Sequence, residues 1–183
     1  MEKRLLSEIS LYHGNIDMPK NFEIDRSKLK ADILTSHLNK QRVSNNRFDY
    51  AFLDYELPFS RTLEMLTTYL REHFYLESKQ SLIIHKSFGN ILQPNEQTFS
   101  RYLTNPLDLK NSPDYIVIYG VDIFEGSSEV VIEYNDNRRA GKTWHIPLSN
   151  NHFVMFPSTQ RFFITSNTSK QNNIILTSTF EYI

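Results

Sequence analysis

The sequence contains no cysteine. Disulfides, thiolate metal sites and a cysteine nucleophile are therefore excluded, and the absence favours a reducing compartment. Only 5 of the 183 residues are glycine, which is few for an enzyme built on glycine-rich phosphate-binding loops. The motifs of P-loop enzymes, dinucleotide-binding enzymes, serine hydrolases with a nucleophile elbow and HExxH zinc proteases are all absent. The sequence thus gives no support to these enzyme classes.

The sequence also lacks an excess of charge and any long apolar run. A formal net charge of -1 argues against a nucleic-acid partner, because such proteins carry a basic surface. No apolar run is long enough to span a bilayer, and the first ten residues lack the apolar stretch of a secretion signal. We therefore expect a globular protein without a membrane partner, located in the cytoplasm of the producing cell.

The first 80 residues predict a mixture of helix and strand. A helix is expected over residues 26–38 with Asp25 as its N-cap, and a second over residues 60–76 with Ser60 as its N-cap. The second helix has an apolar face with a period near 3.6, formed by Leu63, Leu66, Leu70 and Phe74. Short strands are expected at residues 11–17 and 48–57, the latter after a break at Asn45 and Asn46.

The remaining residues predict an all-β unit. Short segments rich in β-branched and aromatic residues alternate with turn residues. The expected strands are residues 81–92, 98–103, 115–123, 129–134, 143–147, 152–156, 161–166 and 172–182. Eight strands at this spacing favour an antiparallel jelly-roll barrel over residues 81–183. Residues 1–80 are expected to pack on it, giving one α+β, mainly β domain in which Val117, Ile132, Val154 and Ile174 point inward.

Three segments of the second half share their order with a known family. They are residues 115–122 (YIVIYGVD), 131–138 (VIEYNDNR) and 151–158 (NHFVMFPS), of which the Phe156-Pro157-Ser158 corner is the most specific. Over residues 87–183 the chain resembles the iron- and 2-oxoglutarate-dependent oxygenase-like proteins of marine microbes and tailed phages. The resemblance implies a double-stranded β-helix (a jelly-roll or cupin-like barrel) with two flanking helices.

The resemblance also implies positions for the functional residues, and this sequence departs from the family at all of them. The family holds iron with His-x-Asp, His-x-Glu or His-x-His and a distal His, and it grips 2-oxoglutarate with an Arg on the last strand. None of the six histidines here begins such a motif. The corresponding positions hold Arg101 and Leu103, Phe162, and Asn172 or Asn173. We therefore expect no catalytic, metal-binding or cofactor-binding residues, and no cofactor.

Two functions from different classes stay open. The first is a non-catalytic assembly or structural module, such as a component of a tailed-phage virion, whose partners are other protein subunits in a homo- or hetero-oligomer. The second is an iron- and 2-oxoglutarate-dependent hydroxylase with an unrecognised ligand set, acting on a small molecule or a protein side chain. Stoichiometric transition metal in the pure protein would favour the second.

Other residues have a functional interpretation beside an ordinary structural one. His145 and His152 with Glu133 or Asp136 would make a rearranged metal site, although ordinary strand positions are the favoured interpretation. Arg138 and Arg139, with Asp136 and Lys142, would grip an anion or a partner, although a solvated hairpin loop is favoured. Loop residues 95–97 and 105–108 flank the expected ligand strand. Aromatic residues expected at the barrel rim suit an interface or core packing equally: Phe162, Phe163, Phe180 and Tyr182.

Overall fold

The computed structural model describes residues 9–17, 19, 23–43, 55–137 and 140–183. This part of the chain contains two α-helices, α1 (Arg26–Val43) and α2 (Arg61–Ser78). It also contains nine strands: β1 (Tyr12–Asn15), β2 (Tyr55–Glu56), β3 (Leu82–Leu92), β4 (Tyr115–Asp122), β5 (Glu129–Asn137), β6 (Ala140–Pro147), β7 (His152–Pro157), β8 (Arg161–Ile164) and β9 (Asn173–Tyr182). No helix in these ranges is both long and apolar enough to cross a membrane.

Both predicted helices form, and both begin with the predicted caps. The Asp25 carboxylate accepts the amide of Lys28 at 2.9 Å, and the Ser60 hydroxyl accepts the amide of Leu63 at 3.2 Å. Helix α1 continues to Val43, five residues beyond its predicted end. The expected break at Asn45 and Asn46 lies outside the described residues, as does most of the strand expected at residues 48–57.

The strands form two antiparallel sheets. The larger sheet has the order β1-β7-β4-β9-β3-β2, and the smaller has the order β6-β5-β8. An apolar cluster drawn from both sheets lies between them, with Ile118 of β4, Val154 of β7 and Ile132 of β5 among its members. This arrangement is a double-stranded β-helix with two flanking helices, an α+β and mainly β fold, as predicted.

A second apolar cluster joins the outer face of the larger sheet to the helices. Leu29 and Ile33 of α1 and the predicted apolar face of α2 pack there. Val117 and Ile174 also belong to this cluster, so the expectation that they point into the barrel is wrong. Their neighbours Ile118 and Ile175 point inward instead. Strands β4 and β9 are buried on both faces, so their sequences have no polar alternation from which to read the orientation.

The strand predicted at residues 98–103 does not form as a regular strand. Only Arg101 makes a bridge, to Phe162 of β8. Two residues further along β8, the amide of Ile164 donates to the side-chain hydroxyl of Thr98 at 2.7 Å, where a regular ladder would use a backbone carbonyl. The segment therefore lies along the free edge of β8 as an irregular fourth member of the smaller sheet.

Candidate functional site

Arg101 and Phe162 face each other across the edge of β8. The amide of Arg101 donates to the carbonyl of Phe162 at 2.9 Å, and the amide of Phe162 donates to the carbonyl of Arg101 at 3.0 Å. Leu103 packs, half-buried, against the apolar cluster that contains Phe162. The structure thus brings together the three positions that the resemblance implied, and we call them the Arg101–Leu103–Phe162 corner.

The side chains of this corner pack through apolar and cation–π contacts. The guanidinium carbon of Arg101 lies 5.7 Å from the centroid of the Phe162 ring, within the range of a cation–π contact. The Phe162 ring is only 2% exposed and meets Phe156 edge-on, with 5.2 Å between centroids. Phe162 is therefore a core residue of the barrel, and Phe180 is fully buried as well, so neither lies at a rim.

The Asn172-Asn173 pair does not join this corner. The side chain of Asn173 is fully buried and donates to Ser127 and Ser128 at 2.7 and 2.9 Å, while its oxygen accepts the amide of Phe124 at 3.0 Å. Phe156, which contacts Phe162, and Thr179 both pair with Ile116 of β4. Phe156 and Thr179 therefore lie at the same height along the larger sheet. Thr179 and Asn173 are six positions apart on β9, a distance of about 20 Å along a strand. The resemblance implies that the Asn172-Asn173 pair converges with the other three positions, and this expectation is wrong.

The histidines expected in a rearranged metal site also lie apart. His145 is on the outer face of β6, where its Nδ1 lies 2.9 Å from the Glu129 carboxylate. His152 begins β7, on the barrel side of the larger sheet. The Glu133 carboxylate accepts from Ser100 at 2.9 Å and lies 3.4 Å from Arg161. A site combining His145, His152 and Glu133 is therefore not assembled, because strand alternation sends these side chains to different faces.

His152 instead pairs with His13, a residue that the sequence alone did not single out. The pairing of β1 with β7 places their ring centroids 5.7 Å apart. Burial, with a smaller contribution from the charge of His13, lowers the pKa of His152 below its usual value. The buried Nδ1 of His152 has no hydrogen-bond partner among the described residues. Sequence patterns could not reveal this pair, because 138 residues lie between its members. Their contact depends on the pairing of the four-residue edge strand β1 with β7.

The remaining candidates are placed as follows. Arg138 and Arg139 lie outside the described residues. Tyr182 is 43% exposed and stacks edge-on against Tyr115, with 5.7 Å between centroids. Phe163 is half-buried on the outer face of β8, opposite Val131. The loop at residues 95–97 is tied to Asn167 by two backbone hydrogen bonds of 2.8 and 2.9 Å, which favours a structural role for it.

The comparisons with known proteins find similarity in structure only. No protein-family model matches the sequence, and no curated protein matches it. The fold is similar to that of an oxidoreductase of the 2OG-Fe(II) oxygenase family from Burkholderia pseudomallei (TM-score 0.53, 9% identity, 68% of this chain and 60% of that one). It is also similar to SnoK, a non-heme alpha-ketoglutarate-dependent carbocyclase of nogalamycin biosynthesis (TM-score 0.68, 8% identity, 94% and 79%). A third match is a viral collagen prolyl hydroxylase of Paramecium bursaria Chlorella virus-1, solved with 2OG (TM-score 0.60, 11% identity, 92% and 95%).

These neighbours contradict the expectation that the chain has no cofactor. The proteins that share its fold are described by their dependence on Fe(II) and 2-oxoglutarate or by a complex with 2OG. Identities of 8–11% establish the fold alone, so the fold is similar to that of these oxygenases.

The Arg101–Leu103–Phe162 corner does not fit an iron ion. A guanidinium is a cation without an acceptor, and alkyl and phenyl groups offer no lone pair. Within the ranges that the structure describes, no three His, Asp, Glu or Cys side chains are grouped as metal ligands would be. An iron held by this chain would therefore need ligands other than those at the corner.

Proposed function

We propose that this protein is an assembly module, built on an oxygenase-type barrel, that joins copies of itself into an oligomer and does no chemistry at the Arg101–Leu103–Phe162 corner. The observation that carries the proposal is the composition of that corner. The resemblance implies that the three positions of this corner correspond to the metal triad of the family. Here a cation–π contact and an edge-on aromatic pair fill it, so we assign it the role of a packed core and regard the triad as degenerate.

An ordered loop beyond the corner supplies the proposed contact surface. Leu107 is 96% exposed and Leu109 is 67% exposed. The loop that presents them is held by hydrogen bonds from the Asn105 amide to the Ser112 hydroxyl at 2.7 Å and from the Ser112 hydroxyl to the Asp108 carbonyl at 2.8 Å. Holding two leucines in water within a fixed loop gains nothing for the monomer, whereas their burial against another subunit is favourable.

The setting of this module follows from the same resemblance. Jelly-roll scaffolds occur in viral capsids, and the family that the sequence resembles includes proteins of tailed phages. We therefore place the protein in the cytoplasm of the producing cell, as a pseudoenzyme that enters a virion as a structural component. Its partners are protein subunits, without nucleic acid or membrane.

Oxygenase activity with another ligand set is the second candidate. The fold neighbours favour it, and the His13–His152 pair offers two imidazoles on the barrel side of the larger sheet. Two imidazoles are part of the ligand set that non-heme iron enzymes use, but a carboxylate is also required. None of the described residues provides one beside this pair.

Sedimentation equilibrium between 1 and 100 μM tests the assembly proposal. We expect a mass that is a multiple of 21.6 kDa, and we expect the Leu107→Asp, Leu109→Asp double variant to return to the monomer mass. Phe59→Asp is the matched control, because Phe59 is also exposed, at 76%, but lies next to α2. A monomer mass throughout this range, or an oligomer mass that is the same in the double variant as in the parent, contradicts the proposal.

A turnover assay tests the second candidate separately. The protein is mixed with Fe(II), 2-oxoglutarate and oxygen, and succinate is measured in the parent and in the His13→Ala, His152→Ala double variant. Succinate formation that the double variant loses supports the oxygenase, whatever the sedimentation result. Equal succinate formation in the parent and in the double variant contradicts the oxygenase candidate.

A further inference from the structure

A cleft of about 600 Å³ opens between the two sheets, lined by residues of β1, β5, β6 and β7. Its floor is apolar and comprises Ile132 of β5 and Phe156 of β7, both nearly fully buried. His13 of the edge strand β1 and Gln160 stand on one wall, and Tyr134 and Trp144 of the β5–β6 hairpin stand on the other. Small-molecule sites typically have this volume, an apolar lining and a few polar groups that converge.

The aromatic wall of the cleft suits a flat ring. Tyr134 and Trp144 meet edge-on, with 6.1 Å between centroids, and Trp144 is 42% exposed. The two rings are inclined at 64° to each other, so they offer one ring face and one ring edge to an incoming ring, the two arrangements that aromatic groups prefer. An aliphatic group of the same size would gain only the burial of its apolar surface.

The polar groups of the cleft favour an anion over a cation. His13 and the amide of Gln160, which line the cleft, can donate hydrogen bonds. Lys142 does not line the cleft itself but lies directly opposite Tyr134 in the β5–β6 register, on the same face of the hairpin. The described residues that line the cleft include no Asp or Glu. A carboxylate therefore meets hydrogen-bond donors in the cleft and a lysine beside it, whereas an ammonium group would meet no opposite charge among the lining residues.

We infer that this cleft binds a small aromatic carboxylate, with its ring against Tyr134 and Trp144 and its carboxylate toward His13 and Lys142. The cleft is separate from the Leu107–Leu109 loop, whereas its floor adjoins Phe162 of the Arg101–Leu103–Phe162 corner through Ile132 and Phe156. The assignment is independent of the proposed function, so either can fail without the other.

The chain offers a direct reporter, because Trp144 is its only tryptophan. A ¹⁵N-labelled sample therefore has a single indole N–H signal, which stands on the wall of the cleft. Naphthalene-2-carboxylate is titrated into the full-length protein, and we expect this signal to shift and saturate. Naphthalene-2-methanol lacks the carboxylate and cyclohexanecarboxylate lacks the aromatic ring, and each is expected to bind about two- to tenfold more weakly.

Variants separate binding in the cleft from unspecific binding. His13→Ala and Tyr134→Ala should each weaken naphthalene-2-carboxylate about two- to tenfold. His145→Ala is the matched control, because it adjoins Trp144 on the opposite face of β6, and it should bind like the parent. The dispersion of the amide signals verifies folding, and His13→Ala suffices as the test if Tyr134→Ala unfolds. A shift that grows linearly without saturation, or equal affinity in His13→Ala and the parent, overturns the assignment.

Discussion

Ile33 of α1 fills the space above Gly89 of β3 that any larger residue would need. A β-carbon built on Gly89 would stand 2.6 Å from the Cγ2 atom and 2.7 Å from the Cγ1 atom of Ile33. Ile33 is fully buried, so it has no free volume into which to move. This contact fixes how closely the first helix approaches the sheet.

We predict that Gly89→Ala lowers the free energy of unfolding by about 1–3 kcal/mol, the usual cost of overpacking a core. Urea denaturation measures it. Gly14→Ala is the matched control, because its β-carbon would meet only Phe153 at an ordinary 3.8 Å. Adding Ile33→Ala removes the two clashing atoms, so the double variant should lose less stability than the sum of the single losses. Simple additivity would show that the two residues do not clash.

Asn173 ties β9 to the start of β5 through a buried amide. We predict that Asn173→Ala lowers the free energy of unfolding by about 2–4 kcal/mol, because the Phe124 amide and the Ser127 and Ser128 hydroxyls lose their buried partner. Asn172→Ala, at the exposed adjacent position, should change it by less than about 0.5 kcal/mol. Equal losses for both variants would contradict a structural role for Asn173.

The His13–His152 pair should make the fold sensitive to acid. The folded-state pKa of His152 lies below its ordinary value of 6.5, first through burial and then through the charge of His13. Between these two pKa values the unfolded chain binds more protons than the folded chain. The contribution of neutral His152 to the free energy of unfolding is therefore complete above pH 6.5 and is lost progressively as the pH drops below it. Urea denaturation from pH 8 to pH 5 measures the slope. The pKa of His37 is also lowered by burial and adds a slope of the same sign.

The variant His152→Gln isolates the contribution of His152. We expect its stability to fall less steeply below pH 6.5 than that of the parent, with the part due to His37 unchanged. His145→Gln is the control, because His145 is exposed on the outer face of β6. Parallel pH profiles for His152→Gln and the parent would contradict this prediction.

Local signals in the sequence predicted the helices and their caps well, since Asp25 and Ser60 act within three residues of their partners. The faces of β4 and β9 could not be predicted, because Val117 and Ile118 are both buried, against different layers. Long-range pairing was equally hidden from local patterns. The His13–His152 contact, the separation of Asn173 from Phe162 and the assembly of the cleft around Trp144 all depend on strand register, which local composition does not specify.

The last prediction tests whether the corner stands where the family binds its metal. The triple variant Arg101→His, Leu103→Asp, Phe162→His places two imidazoles and a carboxylate on facing segments whose backbones pair between residues 101 and 162. Co(II), whose bound form absorbs visible light, serves as the probe. We expect the variant to bind it about tenfold or more tightly than the control triple Tyr102→His, Thr104→Asp, Phe163→His. That control moves the same ligands by one residue, toward the outer face at Phe163.

Circular dichroism first establishes that both variants fold. Equal Co(II) affinity in the two folded variants would show that the corner is not the metal position of the family, and the reason for treating its three residues as a degenerate triad would be lost.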